Sequence, residues 1–107
     1  MKKFDFTKMK DGWFIGDFEP SAFRTKIFEV AYVEHTKSEK RQKHYHNFAT
    51  EIALVLKGKM LINGIIFSQG DILVTNPKEI LETIFLEKTQ ILGIKTPSNV
   101  NDKILLD

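Results

Sequence analysis

Residues 43–51, Lys-His-Tyr-His-Asn-Phe-Ala-Thr-Glu, hold the most reactive grouping in the chain. His44 and His46 stand two residues apart. In an extended strand, side chains at i and i+2 leave the same face, with Cα atoms about 6–7 Å apart. Two imidazoles at that spacing can meet one cation. Glu51 follows after a bend and can add a carboxylate. Two imidazoles and one carboxylate, with positions left open, suit non-haem Fe(II) and also Mn, Ni, Co or Zn. The competing expectation is a metal-free polar pocket lined by the same side chains.

For His44 and His46 to share a face they must lie on a strand, and strand signals fill the chain from about residue 26. Residues 27–34 are rich in β-branched and aromatic types. The polar stretch 35–43 reads as a loop. Residues 51–57 form an apolar run closed by Gly58, short enough to favour a buried strand over a helix. Met60-Leu61-Ile62 and Ile65-Ile66-Phe67 flank Asn63-Gly64, the dipeptide that best accepts the two positive φ angles of a type I′ hairpin turn. Further strands are expected at 72–74, about 80–86 and about 90–95, and Thr96-Pro97-Ser98 ends the regular part. Six or more short strands at this spacing indicate an all-β sandwich or barrel. Residues 1–107 are expected to form one domain, with 1–25 as an N-terminal arm or edge strand and Pro20–Phe23 as a single helical turn.

The pattern His44-x-His46, four residues, Glu51, six residues, Gly58 resembles the first conserved motif of the cupins. The second cupin motif is only partly present. Gly70-Asp71 opens it, but its Pro falls on Asn76, its Gly on Lys78 and its His on Leu81. The resemblance implies a small cupin-like double-stranded β-helix, or jelly-roll barrel. It also implies a divalent metal (Fe, Mn, Ni or Zn) on His44, His46 and Glu51. Glu82 is a candidate fourth ligand if the turn carries one extra residue, although strict alternation sets Leu81 and Glu82 on opposite faces. A metal-dependent small-molecule isomerase or oxygenase is one implied activity, with Glu51 or Glu82 as general base. The alternative is a non-catalytic module that binds a sugar or an anion beside a relic metal site. A homodimer through an exposed sheet and the N-terminal aromatic residues is compatible with both.

Composition narrows the remaining classes. The chain of 107 residues is 42% hydrophobic, enough to bury one core without a disulfide. It has no Cys, which excludes thiolate chemistry and suits a reducing compartment. The net charge is only +2, with Lys and acidic residues interspersed, so no nucleic-acid partner is expected. Lys37, Lys40, Arg41 and Lys43 form one basic cluster, read as a solvated loop, with contact to an anionic ligand as the alternative. Asp5, Lys8, Lys10 and Asp11 interrupt any signal-like apolar run, and no stretch is long enough to span a membrane. A cytoplasmic protein is the default expectation. His35 reads as a surface residue, Tyr45 as facing away from the pocket, and Trp13 as a residue of the core, of an interface or of a pocket mouth.

Overall fold

The computed structural model describes residues 1–107. The strands are β1 (Trp13–Ile15), β2 (Glu29–His35), β3 (Lys40–His46), β4 (Thr50–Lys57) and β5 (Lys59–Ile62). They continue as β6 (Ile65–Ser68), β7 (Ile72–Thr75), β8 (Leu81–Phe85), β9 (Thr89–Thr96) and β10 (Lys103–Leu105). Two five-stranded antiparallel sheets result, in the orders β1-β2-β9-β4-β7 and β10-β3-β8-β5-β6. This is the all-β jelly-roll expected from the sequence. No helix is long and apolar enough to cross a membrane.

Three local expectations need correction. The span 35–43 is largely strand, because β3 already begins at Lys40 and pairs with β8. Polar side chains there do not signal a loop, since alternate ones face solvent from an outer sheet surface. Regular structure also continues past Pro97, because β10 pairs with β3. Residues 20–23 form no helical turn; Phe23 makes a parallel bridge to Ile15, and the one short 3-10 turn is Phe6–Lys8.

Two turns follow from their sequence. Asn63 and Gly64 both take positive φ (49° and 81°), as a type I′ hairpin between β5 and β6 requires. Gly58, the residue that closes the histidine motif, has φ 100°, and a Cβ there would lie 2.4 Å from the Lys88 carbonyl oxygen. A side chain at 58 would push apart β4 and the turn before β9.

Both faces of the first sheet are apolar. Inward, register aligns Ala31–Gly93–Ala53–Leu73 and, beyond them, Val33–Ile91–Val55. Ala53, Val55 and Ile91 join Met60, Ile62, Leu81 and Phe85 of the facing sheet in the buried core. Outward, the same ladders align Val30–Ile94–Ile52–Val74 and Tyr32–Leu92–Leu54–Ile72. An antiparallel sheet facing water ordinarily carries polar residues on that side. Here the outer rows end in Ile72 and Val74, which are 62% and 56% exposed.

Candidate ligand pocket between the sheets

The facing sheets enclose a cavity of about 410 Å³. Its polar end starts from one more cross-strand row of the first sheet: Glu29, Lys95, Glu51 and Thr75. The second sheet contributes His44 and His46 from β3, as their spacing predicted, and both are buried. Their rings meet edge to face at 5.3 Å between centroids.

Arg41 reaches the same cavity by way of an irregularity. Strict alternation from His44 and His46 would turn residue 41 outward. However, Arg41 pairs with Thr83 and His44 with Leu81, so three steps on β3 match two on β8. This β-bulge reverses the alternation and aims Arg41 inward, a common use of bulges beside binding sites. Lys103 of β10, register partner of His46, also lines the cavity. Neither Arg41 nor Lys103 has an ion-pair partner. Lys95 is shared: its Nζ lies 3.9 Å from Glu51 Oε2 and 4.7 Å above the Trp13 ring.

The environment shifts the protonation of these groups. Burial holds the His46 imidazole down to about 4, helped by the nearby Lys95 charge. His44 is lowered for the same first reason, against the opposing effect of its Gln42 contact. Burial raises the Glu51 carboxyl, opposed by Lys95, Arg41 and Lys103. Burial lowers Lys103 to about 8, with Arg41 and Lys95 adding to the effect.

The expected metal donors meet these positions unequally. His46 fits: its Nε2 is buried without a hydrogen-bond partner and lies 3.7 Å from Glu51 Oε2. His44 fits in part, because its Nδ1 lies 3.0 Å from the Gln42 carbonyl, a contact that orients the ring and frees Nε2. The rest of the donor set does not fit. Leu81 stands beside His44, where the resemblance would place a third imidazole. Glu82 is exposed while Leu81, Thr83 and Phe85 point inward, so the extra turn residue needed to bring it in is absent. Lys95 Nζ lies 3.9 Å from Glu51 Oε2, and Arg41 and Lys103 add positive charge to the same cavity. No three His, Cys, Asp or Glu side chains form a group able to hold a metal ion. The structure thus brings His44, His46 and Glu51 to one cavity and leaves Glu82 outside it, with Lys95, Arg41 and Lys103 disfavouring a divalent cation there.

Several pocket residues were hidden in the sequence. Lys95 shares strand parity with the buried Ile91, a signal present in the β9 pattern. His35 shares parity with Ala31 and Val33 on β2. It is not a surface residue: its side chain is 11% exposed, stacks on Phe85 at 4.1 Å and donates from Nδ1 to Glu39 Oε2 at 2.6 Å. Trp13 lines the cavity and its mouth. Tyr45 faces outward as expected, since only its neighbours His44 and His46 are buried.

This arrangement of two antiparallel sheets around a lined cavity is the double-stranded β-helix fold of the cupins. Similar solved structures include a double-stranded β-helix protein from Klebsiella pneumoniae, at TM-score 0.68 and 19% identity over 76% of this chain and 71% of that one. KdgF from Halomonas sp. aligns at TM-score 0.67 and 18% identity over 72% of this chain and 74% of its own. The salicylate 1,2-dioxygenase of Pseudoaminobacter salicylatoxidans aligns at TM-score 0.58 and 17% identity over 66% of this chain but 22% of its own. No sequence-family model matches the chain, and no curated protein does.

Proposed function

We propose that this small cupin is a binding protein for a small organic anion, and not a metal-dependent isomerase or oxygenase. One observation carries the proposal: Arg41 is turned into the barrel by the β3 bulge and has no carboxylate partner. A guanidinium offers a planar fork of donors that matches a carboxylate. Lys103 lies on the same cavity, and Lys95 can turn from Glu51 toward a ligand. Imidazoles held neutral by burial add hydrogen-bonding capacity without a competing charge.

The test is titration with benzoate, read through the single Trp, because Trp13 lies under Lys95 in the pocket wall. Saturable quenching or enhancement is expected, with affinity falling at least tenfold in Arg41→Ala. Affinity should also fall as pH rises through about 8, where Lys103 gives up its proton and one cation is lost. The same protein, purified without a polyhistidine tag, should carry no stoichiometric metal. Stoichiometric Fe, Mn, Ni or Zn that disappears in His44→Ala/His46→Ala would overturn the proposal.

We also propose that two copies pair through the outer face of the β1-β2-β9-β4-β7 sheet. Its two apolar rows run across four strands, and sheets packed face to face bury such rows at about 10 Å separation. Light scattering should give a dimer mass for the wild type and a monomer for Ile72→Lys/Val74→Lys. Both positions are exposed, so the double change leaves the core alone. A monomeric wild type rejects this pairing.

A further inference from the structure

The cavity is graded along the strand direction. At one end lies the charged row with Lys95 and Glu51, facing Arg41 and Lys103. Two residues further along each strand, about 7 Å on, the row is made of small side chains: Ala31, Gly93 and Ala53. Gly93 is not small because something crowds it; a Cβ built there meets nothing within 4 Å. The hollow is therefore real space next to the cations. A further two residues on, about 13 Å from the charged row, Val33, Ile91 and Val55 close it with apolar groups. On the facing sheet the walls are Leu81, Met60, Ile62 and Phe85, interrupted by the Thr83 hydroxyl.

Resting on the proposed anion site, we infer that the ligand is a monocarboxylate with an unbranched or flat apolar body. The carboxylate lies against Arg41 and Lys103 and the body fills the hollow over Gly93. A citrate-like or sugar-acid ligand would place hydroxyls or second charges against Ala53, Leu81 and Met60, where Thr83 and, further on, His35 offer hydrogen bonds but no Lys or Arg meets a second carboxylate. An apolar body instead gains about fourfold in affinity for every methylene it buries. The cavity volume lies in the range of pockets that enclose small ligands.

The experiment titrates the wild-type protein with acetate, butyrate, hexanoate and adipate at pH 7, following Trp13 fluorescence. Hexanoate should bind about 250-fold more tightly than acetate, which is fourfold compounded over four methylenes. Adipate, with its second carboxylate against walls that carry no Lys or Arg, should bind at least tenfold more weakly than hexanoate. In Gly93→Leu the isobutyl group occupies the hollow, and hexanoate should lose most of its advantage over butyrate. A melting curve and far-ultraviolet spectrum for that variant establish that its barrel is folded. Equal affinity across acetate, butyrate and hexanoate, or adipate equal to hexanoate, overturns the apolar-body inference while leaving the anion site standing. If none of the four binds and benzoate also fails, the anion site itself is refuted. The wild-type series decides the matter even if Gly93→Leu does not fold.

Discussion

Glu51→Gln is expected to tighten binding of benzoate or hexanoate by about tenfold. Glu51 Oε2 sits 3.9 Å from Lys95 and 3.7 Å from the His46 ring nitrogen, so its charge is spent inside the pocket. An incoming carboxylate has to share Lys95 with it and is repelled by it. Two like charges about 7 Å apart at an effective dielectric of about 20 repel by roughly 2 kcal/mol, which is more than tenfold before screening. Glutamine keeps the size and a hydrogen-bonding oxygen but removes that charge and frees Lys95. The same substitution takes a carboxylate from a His-His-Glu metal set, so a metal-binding protein would lose affinity for its cofactor. The two functions thus predict opposite signs. Weaker anion binding together with loss of bound metal in Glu51→Gln would decide for the metal.

Asp102→Ala is expected to cost about 3–5 kcal/mol of stability. Asp102 is 2% exposed, and its two carboxylate oxygens accept from the Phe48 and Ala49 amides at 2.8 and 2.9 Å. The Asn47 amide bonds to the Asp102 carbonyl as well. Hydrogen bonds to a charged acceptor contribute about 1.5–3 kcal/mol each, and their loss leaves buried donors without partners. For a domain of this size the melting temperature should fall by about 15–30 °C. The loss bears on the pocket too. Those three amides form the connection between β3 and β4, so Asp102 fixes how His46 on one sheet stands against Glu51 on the other. Asp102→Asn, which keeps one acceptor oxygen, should recover part of the difference. A change below 1 kcal/mol in Asp102→Ala would show that water replaces the carboxylate at these amides.

Much of this fold was readable because its signals are local. Asn63-Gly64 dictates its own turn, and the apolar runs at 51–57 and 90–95 lie at positions where β4 and β9 form. His44 and His46 share a face because a strand has a period of two. What escaped prediction is nonlocal. Arg41 faces inward only because β3 carries one residue more than β8 across the same span, and nothing in residues 40–46 announces a bulge. Lys103, and Asp102 just before it, lie past the Thr96-Pro97-Ser98 break because the three-residue strand β10 (Lys103–Leu105) is defined by its pairing with β3, not by its own composition. Family spacing allows Glu82 as a ligand, whereas alternation on β8 assigns it to solvent. The histidine motif was legible, but the cations that change its chemistry arrive from three other segments.

The graded inner face has a consequence for divergence. Charge recognition resides in one row of the barrel and body size in the next, with no residue common to both. Substitutions at Gly93 or Ala53 can lengthen or shorten the accepted molecule while Arg41 and Lys103 stay in place. Exchanges at Arg41 or Glu51 can alter the sign of the recognised group while the hollow keeps its shape. Descendants of this chain could therefore change ligand in small independent steps, each leaving a folded and partly competent pocket.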